Sequence, residues 1–202
     1  SASGMKTVNS DTEFEFLLKK YGFETVGGGL DLDLWPDEVF QSVAVGDEDS
    51  ESMSVRKKAK LLTKARKQQY MNGRLGMIID GTGHNYAKLS KEKKQLEKLG
   101  YDCYMVFVNT SLKVAKERNQ DRPRSLPDNI LVKSWNDVQN NLGKFQGLFG
   151  NNFAVVDNSK FLKPKEAQKK FGMITKKYIN KFIKEPIKNF IGKKWVQHNL
   201  ML

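Results

Sequence analysis

Apolar residues recur along this chain with two periods, one suited to strands and one to helices. Met5-Lys6-Thr7-Val8-Asn9 predicts a short strand, after which Ser10 or Asp11 caps a helix beginning near Thr12. Phe14, Leu17, Leu18 and Tyr21 share one face of that helix, and Gly22 ends it. Gly27-Gly28-Gly29 is a breaker, and the stretch from Asp31 to Ser52 holds eight acidic residues and no basic one. That stretch predicts a flexible excursion around Trp35-Pro36. From Ser54 to Asn72 a helix is predicted, with Val55, Ala59, Leu62, Ala65, Gln69 and Tyr70 as its apolar stripe and seven Lys and Arg around it. The continuous run Leu75-Gly76-Met77-Ile78-Ile79 predicts a strand buried on both faces, ending in Asp80-Gly81-Thr82-Gly83.

The same alternation continues. A lysine-rich helix runs to Leu99-Gly100, a second buried strand from Tyr101 to Val108, and a helix from Ser111 to Asn119. An Arg-rich turn leads to a helix from Asp128 to about Leu142, and Phe153-Ala154-Val155-Val156-Asp157 is a last short strand. Strands alternating with helices at this spacing predict an α/β fold, a parallel sheet with helices on both faces. Functional groups of such sheets sit at the carboxyl ends of the strands, where Asp11, Asp80, Asn109 and Asp157 stand.

The composition changes after residue 160. Residues 161–202 carry eleven lysines against two glutamates, a surplus of nine charges, while residues 1–160 carry a surplus of three. Phe171, Ile174, Tyr178 and Phe182 form one helical stripe, and Ile187, Phe190, Ile191 and Trp195 a second after Pro186. The expected organisation is an α/β domain over 1–160 with a basic amphipathic helical appendage over 161–202. Aromatics among lysines serve nucleic-acid contact and stacking, and equally a membrane surface. The plain alternative packs both stripes on the core and leaves the lysines in water.

Of the 202 residues, 39% are hydrophobic, enough for a buried core, and no apolar run is long enough for a transmembrane helix. One cysteine, Cys103, excludes an internal disulfide and a zinc cluster, and two histidines argue against a His-based metal site. A reducing, cytoplasmic setting suits such cysteine usage.

Three constellations carry candidate chemistry. Arg118, Arg122 and Arg124 place three guanidiniums within seven residues, with Pro127 following. Guanidiniums grip phosphate oxygens in pairs and keep their charge, so this fork suits a polyphosphate and charge developing during phosphoryl transfer. A solvated turn with pairs to Asp121 and Asp128 is the plain alternative. Asp11, at a strand's carboxyl end, could accept a proton from an attacking hydroxyl, or merely cap a helix. Asp80 could organise Mg²⁺ through water, or serve a tight Asp-Gly-Thr-Gly turn.

Taken together, Val8-Asn9-Ser10-Asp11, Ile78-Ile79-Asp80, Leu99-Gly100-Tyr101 and Arg118-Asn119-x-x-Arg122 with Pro127 resemble a P-loop kinase of the polynucleotide 5′-kinase and zeta-toxin type, common in bacteriophages. The resemblance spans Met5 to Asp157. It implies a nucleoside-triphosphate-dependent phosphotransferase using ATP and Mg²⁺, with Asp11 as base toward the acceptor hydroxyl and Asp80 in the active site as the metal's carboxylate. Arg118 and Arg122, with Arg124, would form a lid over the phosphates. A phage-encoded enzyme of this kind would act in the host cytoplasm. The acceptors it leaves open are a nucleic-acid 5′-hydroxyl, a nucleotide sugar and a small metabolite.

One departure stands out. The family's Gly-x-x-x-x-Gly-Lys-Ser/Thr loop has no counterpart in residues 1–202, for Gly4-Met5-Lys6-Thr7 lacks the required glycines and Gly27-Gly28-Gly29 has no Lys-Ser/Thr after it. The expectation is that the chain starts inside a longer protein, with a first strand, the loop and a helix needing on the order of 25 more residues upstream. The fragment alone would then bind ATP poorly. The competing expectation is a non-catalytic nucleic-acid-binding or virion-associated protein built on a kinase-like scaffold.

Overall fold

The computed structural model describes residues 4–20, 54–121, 127–159 and 164–201. The glycine run, the acidic stretch 31–52 and the side chains of Arg122 and Arg124 lie outside them. The described residues form two compact units, one up to Gly81 and the other from Thr82 onward.

In the first unit, β1 (Lys6–Val8) leads into α1 (Ser10–Lys20). The helix is capped by Asn9, whose side-chain oxygen accepts the Asp11 N–H at 2.8 Å. This corrects the expectation that Ser10 or Asp11 is the cap: both stand inside the first turn. Asp11 and Glu13 there, and Lys19 and Lys20 in the last turn, complement the helix dipole. Phe14, Leu17 and Leu18 are buried. They face α2 (Val55–Asn72), which opens on Ser54, whose hydroxyl accepts the Lys57 N–H.

Val55 and Ala59 of α2 are buried, but Leu61 and Leu62 are exposed. The predicted stripe is therefore covered only near the start of the helix, because the eleven residues of α1 are too short to cover eighteen. The buried Glu13 carboxylate is matched by Arg66 Nη1 at 2.5 Å, which offsets the desolvation of a charge at this interface. β2 (Met77–Ile79) pairs parallel with β1 in the register Lys6↔Met77 to Val8↔Ile79. It is not buried on both faces as its apolar run predicts. Leu75 and Ile79 are exposed, since this unit's sheet has two strands among the described residues.

The second unit contains α3 (Tyr86–Lys98), β3 (Met105–Asn109), α4 (Leu112–Gln120), α5 (Asp128–Phe149), β4 (Phe153–Asp157), α6 (Pro164–Lys184) and α7 (Phe190–Leu200). Asn85 and Ser111 cap α3 and α4 through their side-chain oxygens. β3 and β4 pair parallel over five residues, Met105↔Phe153 to Asn109↔Asp157. The parallel pairing is as predicted, but among the described residues it forms a two-stranded sheet in each unit rather than the one sheet expected.

α5 continues well past Leu142. Phe145 is wholly buried against Tyr86 and Phe107, with ring centroids 5.6 and 6.4 Å away, and this anchor outweighs the roughly 1 kcal/mol that each of Gly143 and Gly147 costs a helix. β3 starts at Met105 rather than Tyr101, because residues 101 and 102 hold the C-terminal segment through side-chain and carbonyl bonds. Of the two C-terminal stripes, the first packs: Phe182 stacks on Tyr104 at 4.4 Å between centroids, with Ile174 and Tyr178 half-buried. The second does not, as described below.

Candidate active site

The first unit gathers its candidate acids at the carboxyl end of its two parallel strands. β1 ends at Val8 and β2 at Ile79, paired residue to residue, and the Asp80 N–H continues the ladder onto the Val8 carbonyl at 3.1 Å. Asp80 and Asn9 are therefore neighbours, and the Asn9 amide donates to Asp80 Oδ2 at 3.0 Å. The other end of the same amide accepts the Asp11 N–H. One side chain thus orients the Asp80 carboxylate and the helix turn that carries Asp11. Asp11 and Asp80 stand at the same end of the strands.

Asp11 is exposed, and its Oδ1 accepts from Arg56 Nη1 at 2.6 Å. The Arg56 guanidinium also lies over the Phe14 ring, 5.0 Å from its centroid. The pair leaves the Asp11 carboxylate at the solvent-facing rim, where a second reactant can reach it.

No group of three His, Cys, Asp or Glu side chains that could hold a metal occurs among the described residues. Mg²⁺ does not require one: it retains water and takes one or two carboxylates together with phosphate oxygens. Asp80, fixed by Asn9, fits that pattern as a lone protein carboxylate.

The second unit builds a matching polar edge. Asn109 and Asp157 end paired strands, and the Asn158 N–H bonds the Asn109 carbonyl at 2.7 Å. Gln139 donates to Asn109 Oδ1 at 2.9 Å, and Trp135 Nε1 to the Thr110 carbonyl at 2.7 Å, so α5 fixes the strand end. Asp157 accepts the Ser159 N–H, and the Ser159 hydroxyl accepts the Ser111 N–H. Arg118, in the last turn of α4, reaches Asn158 Oδ1 at 3.4 Å. Asp128 accepts from Lys116 at 2.5 Å. The buried Asn141 amide donates to the carbonyls of Gly83 and His84 at 3.1 and 2.9 Å and pins the Thr82–His84 segment.

Of the residues singled out from sequence, Asp11 and Asp80 are brought together in the first unit, and Arg118 lies on the strand-end edge of the second. Sequence reasoning missed Asn9, Arg56 and Asn141. Asn9 carried a signal, an Asx residue just ahead of a helix. Arg56 is one of seven cations on its helix and Asn141 one of several amides on its own, so their partners became visible only in three dimensions.

A family model described as zeta toxin matches residues 38–159. The matched span includes Asp80, Arg118, Arg122 and Arg124, while Asp11 lies ahead of it. No curated protein matches the chain.

Proposed function

The chain belongs to the zeta-toxin family, whose P-loop kinase-like members use ATP, and from this we propose that it transfers the γ-phosphoryl group of ATP to a hydroxyl acceptor. In this reading the acceptor oxygen attacks the γ-phosphorus. A new P–O bond forms, the bond to the β–γ bridging oxygen breaks, ADP leaves, and the hydroxyl proton passes to the Asp11 carboxylate. Asp80 would supply a carboxylate to Mg²⁺, which when bound would neutralise charge on the phosphates. Arg118 and Arg122, with Arg124, clamp phosphoryl oxygens as charge moves onto them.

The observation that supports this assignment most directly is the Asn9 bridge. A single amide, at the carboxyl end of paired parallel strands, holds Asp80 by its carboxylate and Asp11 by its backbone. A helix cap alone would not require the bond to Asp80.

The test uses the protein at its natural full length and follows radiolabel from γ-labelled ATP into a 5′-hydroxyl oligonucleotide, a nucleotide sugar and a small polyol. Transfer to one acceptor class is expected. Asp11→Asn should then lower kcat by roughly 10²–10⁴-fold with ATP affinity nearly unchanged, because Asn keeps the shape without the basicity. Turnover close to the parent's would reduce Asp11 to a member of the first helical turn.

A further inference from the structure

Helix α7 is fixed on one side and bare on the other. Asp102 accepts the Lys188 and Asn189 N–H groups at 2.7 and 3.0 Å. Asn189 caps the helix, accepting from Ile191 and Gly192, and its amide donates to the Glu97 and Tyr101 carbonyls at 2.8 and 3.3 Å. Gly192 lies with its backbone against that of Gly100. This junction uses the side of α7 that carries Gly192. Around the rest of the helix Phe190 is 66% exposed, Ile191 47% and Trp195 42%, and Leu200 and Met201 at its end are more exposed still. Lys194 stands over the Phe190 ring, 4.5 Å from its centroid, so a cation lies within the apolar face.

We propose that this face of α7 is a docking surface for an anionic lipid bilayer, with Phe190, Ile191 and Trp195 entering the headgroup–acyl boundary and Lys193 and Lys194 paired with acidic headgroups. The charge of the region favours an anionic partner. Residues 187–201 contain no acid, and α6 adds exposed Lys176, Lys177, Lys181 and Lys184. The aliphatic residues decide between anionic partners. Ile191, and Leu200 and Met201 at the helix end, have neither a stacking plane nor a polar group to offer a nucleic acid, whereas acyl chains accept aliphatic side chains. A symmetric contact with a second copy would bring like-charged lysines together. No helix among the described residues is long and apolar enough to cross a membrane, so the contact is peripheral.

The test is co-sedimentation of the full chain with vesicles of phosphatidylcholine alone and with about 30% phosphatidylglycerol, at low and high salt. Binding to the anionic vesicles, weakened by salt, is expected. Lys193→Gln with Lys194→Gln should weaken it about 30-fold, from about 1 kcal/mol per lysine near such a surface. Phe190→Ser with Trp195→Ser should weaken it at least about tenfold while far-UV circular dichroism stays constant, since both side chains are solvent-facing. As a conservative second variant, Trp195→Phe should keep vesicle binding and lose the vesicle-induced blue shift of emission. Four results would overturn the proposal: no preference for anionic vesicles, binding indifferent to the serine pair, a blue shift surviving in Trp195→Phe, or the serine pair abolishing single-stranded oligonucleotide binding or a wild-type dimer while vesicle binding is absent.

Discussion

Gly192→Ala sets two effects of opposite sign against each other. Helix propensity alone favours alanine over glycine inside α7 by up to about 1 kcal/mol. The tertiary contact opposes it. A Cβ on Gly192 would fall well inside the van der Waals contact distance of the Gly100 carbonyl oxygen and 3.3 Å from Ile187 Cγ2. The nearest obstacle is backbone, so no rotamer change relieves it, and overpacking of this kind costs about 1–3 kcal/mol. Moving α7 away instead stretches the two bonds to Asp102 and the two from Asn189, each worth about 0.5–1.5 kcal/mol or more where a carboxylate accepts. The net expectation is a loss of about 1–2 kcal/mol, read as a Tm lower by about 2–8 °C for a chain of this size. Amide exchange at Lys188 and Asn189 should accelerate before that of β3 and β4. Gly147→Ala is the control. It is also a helical glycine, but its Cβ would meet nothing within 4 Å, so it should raise Tm by about 2–4 °C. If Gly192→Ala also raised Tm, the close backbone approach would be wrong, and with it the fixed presentation of Phe190, Ile191 and Trp195.

Three further outcomes are expected. Arg122→Lys should impair phosphoryl transfer nearly as much as Arg122→Ala in steady-state assays, because lysine keeps the charge but loses the planar fork; full activity in the lysine variant would show that only charge matters there. Asn141→Ala should cost about 1–3 kcal/mol in urea unfolding by removing the donor to the Gly83 and His84 carbonyls, and an unchanged midpoint would show that solvent satisfies them as well. Burial, then the neighbouring Glu97 carboxylate, pushes the Cys103 thiol up to about 11, so alkylation at pH 8 should be about a hundredfold slower than for a thiol at its ordinary value of 9.0. The neutral thiol is the form the fold favours, so any stability it contributes is complete below pH 9 and declines as pH rises toward 11; rapid alkylation of the folded chain would contradict this.

Much of the element list was legible in the chain itself. Ser54 and Ser111 announced the starts of α2 and α4, and Phe153–Asp157 was read to its exact bounds, because caps and short apolar runs are local chemistry. So was the placing of Asp11 and Asp80 at strand ends, since Asp80 directly follows β2 and Asp11 stands in the helical turn just after β1. Local chemistry misled where a distant contact outweighed it. α5 runs through Gly143 because Phe145 finds Tyr86 and Phe107, and β3 loses its first residues because the 101–102 segment is committed to α7. The two basic stripes after residue 160 look alike as sequence, yet one stacks on Tyr104 and the other faces solvent, a choice made by where Gly192 can approach Gly100. Residue type and spacing determined which elements form and which groups could bear phosphate chemistry. Tertiary structure decided their partners: Asn9 joins Asp80 to the turn of Asp11 across 71 positions of chain, and Arg56 meets Asp11 across 45. No periodicity encodes pairings at that separation, because they depend on parallel strands brought side by side by the burial of Phe14, Leu17 and Leu18 against α2.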